Sequence, residues 1–218
     1  MYRLSTLLLF FTGSLGQITL NGTCDFTNLS AERNLNVPRL SGHWYQIRRI
    51  KNLQESGTCS TMNINATVIN NAPPKITISN KEVSDKKMHY RNGTITLNNG
   101  YIGKFSINVS DIVYDSMILA TNYTDYAVLY SCNNINNSTK NVWAWVLSRN
   151  STLTANQKDL IQSVINRNAE LKNATWVTPE HSKKACDPNA SVSYRISPVL
   201  ILISVLIVCK DVFSGKEL

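Results

Sequence analysis

Gly42-His43-Trp44-Tyr45-Gln46-Ile47-Arg48-Arg49-Ile50-Lys51 opens a run of short extended segments that continues to Ser148. Successive side chains of a strand point to opposite faces, so an inward Trp44 directs Gln46, Arg48 and Ile50 inward and Tyr45 outward. Further candidate strands are residues 60–69, 75–83, 86–91, 93–98, 102–109, 114–121, 125–132 and 142–148. Turn residues separate several of them: Asn70-Asn71-Ala72-Pro73-Pro74, Asn92-Gly93, Asn98-Asn99-Gly100 and Asn133-Asn134. This pattern, without internal repeat, predicts an all-β domain. After Ser148 the period changes. Leu160, Ile161, Val164, Ile165 and Ala169 recur at helical spacing, and Thr154 with Gln157 supplies a capping box ahead of them.

The chain's ends read as targeting segments. Arg3, the apolar run Leu7 to Phe11 and the small residues Ser14-Leu15-Gly16 form a signal peptide over residues 1–16. One compact domain follows, residues 17–188. The tail, residues 189–218, holds an apolar run from Ile196 to Cys209 that would span only about 21 Å as a helix, against roughly 30 Å of hydrocarbon. A transmembrane anchor is therefore not expected. Small residues at Asn189, Ala190, Ser191 and Ser193 ahead of an apolar segment match a glycosylphosphatidylinositol (GPI) signal, although the spacer is short and the chain ends in polar residues. Gly215-Lys216-Glu217-Leu218 fails as a retention signal.

Secretion agrees with eleven Asn-x-Ser/Thr sites, at Asn21, Asn28, Asn65, Asn92, Asn108, Asn122, Asn136, Asn137, Asn150, Asn173 and Asn189. Each would need an exposed position, and Asn136 and Asn137 overlap. The formal charge is +8, but the basic residues are scattered apart from Arg48-Arg49-Lys51 and Lys183-Lys184. That distribution reads as a solvated surface, and nucleic acid is not an expected partner.

Cys24, Cys59, Cys132 and Cys186 fall in the domain, Cys209 in the tail. Four cysteines of a secreted domain permit three pairings. None has Cys-x-x-Cys or Cys/His ligand spacing, so no metal site is expected.

These four cysteines, with Gly42-x-Trp44, Thr124-Asp125-Tyr126 and Arg149 in that order, resemble the lipocalins, most closely their apolipoprotein D and insect Lazarillo-like branch. The run from Ile118 to Cys132 carries the nearest local match. The resemblance implies an eight-stranded antiparallel up-and-down barrel with one C-terminal α-helix packed outside. Two of the nine candidate segments, within 86–98, should then merge. It also selects the pairs Cys24–Cys132 and Cys59–Cys186, the second pinning residues 174–186 along the wall. Gly42, Trp44, Thr124, Asp125, Tyr126 and Arg149 become fold markers: Arg149 stacks on Trp44 at the closed base, and Asp125 holds turn amides. A glycan at Asn122 would require that turn to face solvent.

If Arg149 caps the base, Leu147, Trp145 and Trp143 climb the inner wall. Together with Ser116 and Ile118 of the sixth strand, and Arg48 and Ile50 of the first, they are the expected ligand contacts. The position of Trp145 resembles a pocket Trp of the family branch. Ser116, where close relatives often carry an aromatic residue, makes the pocket roomier. Arg48 either faces the cup, where it would meet a ligand carboxylate, or turns out to solvent. Met62 and Met88 read as core fillers.

The implied function is an extracellular carrier of a small hydrophobic ligand (fatty acid, retinoid, sterol or bilin class), not an enzyme. No cofactor is required. With every domain cysteine paired, the free-cysteine isomerase chemistry of some family members lacks its nucleophile. His43, His89 and His181 lack ligand spacing. His43 should face outward, and only His89, of undetermined facing, leaves room for haem. The alternative is a GPI-anchored cell-surface recognition glycoprotein of Lazarillo type, with a protein receptor that the sequence does not identify.

Overall fold

The computed structural model describes residues 18–27, 29, 31–32, 34–70, 72–97, 103–109 and 112–189. The expected leader, Asn28 and the residues from Ala190 onward, with Cys209 and all but the first residue of the expected GPI signal, lie outside the described residues. Among the described residues, no helix is long and apolar enough to cross a membrane.

Ten strands form one antiparallel sheet: β1 (Ile18–Asn21), β2 (Gly42–Ile50), β3 (Thr58–Ile69), β4 (Ala72–Ser84), β5 (Lys87–Leu97), β6 (Lys104–Val109), β7 (Ile112–Thr121), β8 (Tyr126–Asn134), β9 (Thr139–Ser148) and β10 (Trp176–Val177). Strands β2 to β9 pair in sequence order, and β9 returns to β2, closing an eight-stranded barrel. Closure is partial along the seam. Tyr45 to Arg49 of β2 meets Trp145 to Ser148 of β9. Above that point β9 is covered by β1, and the end of β2 by β10. The edges that remain are the four-residue β1 and the two-residue β10, too short to make good templates for aggregation.

The barrel separates two apolar clusters. Inside, Trp44, Ile64, Ile78, Phe105, Ile118 and Leu147 belong to one continuous core. Outside, Val128, Val142, Ala144 and Val146 pack under helix α1 (Ala155–Arg167) through Ile161, Val164 and Ile165. The alternation along β9 places one set on each side of the wall. The capping box is formed: Thr154 Oγ accepts from Gln157 N, and Gln157 Oε1 accepts from Thr154 N. Leu160 departs from expectation. It lies on the solvent side of α1, 41% exposed. The helix stops at Asn168, whose side chain caps the short α2 (Ala169–Lys172).

Two disulfides, Cys24–Cys132 and Cys59–Cys186, tie the N-terminal and C-terminal segments to the barrel. The two candidate segments do merge into one arm, β5 (Lys87–Leu97), and this overturns Asn92-Gly93 as a turn. Gly93 lies mid-strand because a Cβ there would stand 2.0 Å from the Asn108 carbonyl oxygen of β6. Pro73-Pro74 is likewise not a turn. Both residues lie in β4, where the register with β3 shifts between Thr67 and Ile69, so no ladder hydrogen bond depends on their missing N–H.

Candidate functional site

The closed base comes first because it orients the cup. Arg149 lies 3.5 Å from the Trp44 ring centroid. Its guanidinium donates to the carbonyls of His43 (2.9 Å), Ser41 (2.9 Å) and Tyr123 (3.1 and 3.2 Å). Trp44 Nε1 donates to the Leu40 carbonyl at 2.7 Å. Gly42 is required twice over. Its φ is +107°, and a Cβ there would lie 3.0 Å from Arg149 Nη1.

The neighbouring turn differs from expectation in one respect. Asn122 Oδ1, not Asp125, accepts the amides of Asp125 (2.8 Å) and Tyr126 (3.1 Å). The Asp125 carboxylate accepts instead from Asn122 Nδ2 at 2.6 Å and from Thr124 Oγ at 3.2 Å.

Above the base, the inner face changes from apolar to polar. Leu147, Ile118 and Trp44 border a narrow apolar space of about 10 Å³. A larger cavity of about 110 Å³ follows toward the mouth, walled by Trp143, Trp145, Tyr114, Ile107, Ile78 and Met62. Met62, Ile78, Ile107 and Leu129 border both spaces. Trp143 packs edge-on against Tyr114, with ring centroids 4.8 Å apart.

Among the residues expected at the ligand, Trp143 and Trp145 line the larger cavity, while Leu147 and Ile118 line the narrow space beneath. Ser116 points inward but is fully enclosed, its hydroxyl 2.7 Å from that of Ser131. Arg48 and Ile50 do not line the cup. The β2–β9 register slips between Gln46 and Arg48, and this bulge at Ile47 reverses the alternation beyond it. Arg49, opposite Trp145, therefore turns inward and is 2% exposed. Arg48 turns out, donates to Gln162 of α1 at 3.1 Å and lies over the Trp176 ring at 5.0 Å. Ile50 joins the outer core.

Sequence reasoning missed the polar end of the cup. Arg49 donates to the carbonyls of Glu55 and Gly57, each at 2.9 Å, and to Ser60 Oγ at 2.8 Å. Its Nη2 lies 3.8 Å from Glu82. Arg91 pairs with Glu82 at 3.1 Å and stands 3.7 Å from Glu55. Burial lowers the Arg49 pKa, and the Glu55 and Glu82 carboxylates oppose that shift. Two cations and two anions thus offset one another, as burial demands.

Glu55, on the 51–57 loop, is 5% exposed. It accepts from Trp145 Nε1 at 2.6 Å, Gln46 Nε2 at 3.2 Å, and Asn52 Nδ2 and Asn80 Nδ2 at 3.5 Å each. The strand period held a signal for part of this set. Ile76, Ile78, Asn80 and Glu82 share one face of β4, and Asn80 faces Arg91 across the ladder.

His43 and His89 lie at the surface, with the His43 ring partly covered by Tyr45. The register pairs His89 with Glu82, on the cup face, and its Nε2 sits 3.2 Å from the Ser84 carbonyl oxygen at the rim. Among the described residues, no group of His, Cys, Asp and Glu side chains could hold a metal ion. The ten described glycosylation asparagines, from Asn21 to Asn189, are all exposed.

A model of the lipocalin / cytosolic fatty-acid binding protein family matches residues 41–183. Apolipoprotein D of Macaca fascicularis is 29% identical over 185 residues, covering 82% of this chain and 94% of the relative. The structure of insecticyanin from the tobacco hornworm Manduca sexta superposes with a TM-score of 0.64 at 22% identity, covering 79% of this chain and 93% of that one. Lobster apocrustacyanin A1 superposes at 0.60, with 21% identity and coverage of 75% and 91%. The two superpositions establish likeness of fold.

Proposed function

The chain belongs to the lipocalin / cytosolic fatty-acid binding protein family, and from that premise we propose that it is a secreted carrier of a small hydrophobic molecule held in the barrel cup. The observation that carries the reading is the cavity walled by Trp143, Trp145, Tyr114 and Met62, with polar groups confined to its mouth end. An apolar cavity with a few placed polar groups binds by removing ligand surface from water and sets orientation through those groups. Each Å² of apolar ligand surface withdrawn from water contributes about 25 cal/mol, against the cost of ordering the ligand in the cup. No catalytic step enters the reading. The four domain cysteines are consumed in disulfides, which also suit an oxidising, extracellular compartment.

Native mass spectrometry of protein from a eukaryotic secretory host, followed by lipid extraction, tests this. One apolar molecule retained per chain is the expected result. An empty cup, together with unchanged Trp fluorescence on adding fatty acids, retinoids, sterols or bilins, would sink it.

A second reading, the GPI-anchored surface glycoprotein, is favoured by the outward placement of all ten described glycosylation asparagines. Its discriminating test is release from cells by a phosphoinositide-specific lipase. Protein found in the medium without the enzyme would rule it out.

A further inference from the structure

The buried carboxylate of Glu55 dictates the orientation of the two amides that meet it. A carboxylate only accepts hydrogen bonds, so Gln46 and Asn80 both turn their NH2 groups toward it. Their oxygens then face away, and neither Gln46 Oε1 nor Asn80 Oδ1 has a donor. Gln46 is 1% exposed and Asn80 9% exposed, so bulk water does not serve them. Turning either amide over would set an oxygen against the carboxylate and is no remedy. Asn80 borders the larger cavity beside Glu55 and Trp145.

The cations give no counterweight. Arg91, the only Lys or Arg bordering that cavity among the described residues, is engaged by Glu82 and Glu55. Arg49 is spent on Glu82, Ser60 and two carbonyls. The polar end of the cup therefore holds an unmet acceptor, Asn80 Oδ1, beside a carboxylate, with Arg91 turned toward Glu82 and Glu55 through Nη2.

We infer that the cup selects ligands whose polar end donates hydrogen bonds, such as an alcohol, amine or N–H group, and rejects carboxylates. This deepens the carrier reading and rests on it. A donor arriving at Asn80 Oδ1 meets an acceptor on the cavity wall that no protein group serves. An arriving carboxylate brings no donor and sets a second negative charge beside Glu55.

The test compares probes that share a hydrocarbon skeleton and differ at the head: retinol against retinoate, and hexadecan-1-ol against palmitate. Affinities are read by quenching of Trp fluorescence or by displacement of a bound dye, on the full secreted protein at neutral pH. The alcohol of each pair should bind about tenfold or more tightly than its acid, the size of effect expected from one satisfied buried acceptor. Asn80→Leu removes the orphan oxygen and should narrow that ratio several-fold while still binding both alcohols. Equal or tighter binding of the acids to the unaltered protein would overturn the inference and leave the carrier reading standing. A ratio unchanged in Asn80→Leu would also overturn it. Binding of none of the four probes would count against the carrier reading itself, and the inference would fall with it.

Discussion

Trp145 Nε1 donates to Glu55 Oε2 at 2.6 Å, joining the last barrel strand to the 51–57 loop across 90 positions of sequence. The bond holds a buried carboxylate against the aromatic wall of the cup, so one residue serves both ligand cavity and loop. Trp145→Phe keeps the ring and deletes the donor. It should destabilise the protein by about 1–3 kcal/mol, the cost of weakening the hold on a buried charge. Urea denaturation at neutral pH would measure it, and an unchanged midpoint would mean that the bond contributes nothing. Trp145→Ala should in addition weaken ligand binding while the barrel still folds. Loss of folding would assign Trp145 to the core alone.

The Arg149 fork predicts that lysine is a poor replacement. Arg149→Lys keeps the charge but cannot reach the carbonyls of Ser41, His43 and Tyr123 together while stacking on Trp44. A loss on the order of 2 kcal/mol is expected from the surrendered charge-assisted bonds. Gly42→Ala should cost on the order of 1–3 kcal/mol, since it forces a Cβ into left-handed backbone beside the guanidinium. Thermal denaturation of both variants checks the pair, and wild-type stability in either would refute the account of the base.

Met62 stands at the boundary of the two spaces with Ile78, Ile107 and Leu129, and its unbranched thioether is the most adaptable of the four side chains. Met62→Phe would place a rigid ring between the two spaces. Long, extended ligands should then lose affinity by about tenfold or more, while ligands short enough for the upper cavity are retained, as one lost hydrophobic contact region would produce. A chain-length series of alcohols, titrated against both proteins, separates the cases. Equal losses at every length would mean that Met62 does not mark that boundary.

Stability should fall below neutral pH in part through His43. Partial burial, then the positive charges of Lys81, Arg149 and His181, hold its imidazole below the ordinary value of 6.5. Between that lowered value and 6.5, the unfolded chain binds a proton that the folded protein declines, so stability drops as pH falls. Above 6.5 both forms are neutral and the penalty vanishes. Denaturation at pH 7.5 and 5.5 should show a smaller drop for His43→Gln than for the wild type. Equal drops would remove His43 as a source.

The Cys59–Cys186 disulfide closes the longer loop, 127 residues, and fixes the C-terminal segment on the barrel. Replacing both cysteines by alanine should cost about 2–5 kcal/mol. Limited proteolysis should then cut first after residue 174, because beyond the two paired residues of β10 only single hydrogen bonds, such as Cys59 N to the Glu180 carbonyl and Thr58 Oγ1 to the Ala185 carbonyl, hold that segment. Initial cleavage within the barrel would contradict this.

Much of this architecture was legible because it rests on short-range chemistry. Alternation along residues 142–148 placed Trp143, Trp145 and Leu147 on one face, since β9 runs without a register slip against β8. The same rule failed in β2, where Ile47 forms a bulge that carries no Gly or Pro to announce it. From that residue onward every side chain changed sides, and Arg49 replaced Arg48 within. The ladder also showed Gly93 to be a point of close backbone approach, which an isolated Asn-Gly pair cannot distinguish from a turn.

The sequence by itself determined a strand-rich domain followed by a capped helix, because period, turn chemistry and capping are properties of neighbouring residues; the eight-stranded closure, the Arg149–Trp44 stack and the cysteine pairing were legible only through the family resemblance. Tertiary structure alone decided the polar end of the cup. Glu55 comes from a loop, Glu82 and Arg91 from two paired strands, and Arg49 from beyond a bulge. Burial and mutual neutralisation arise when the curl of β2 to β5 brings the four within a few ångströms and Trp145 of β9 closes on Glu55, whereas the strand period marked only the inward face of β4 that carries Asn80 and Glu82.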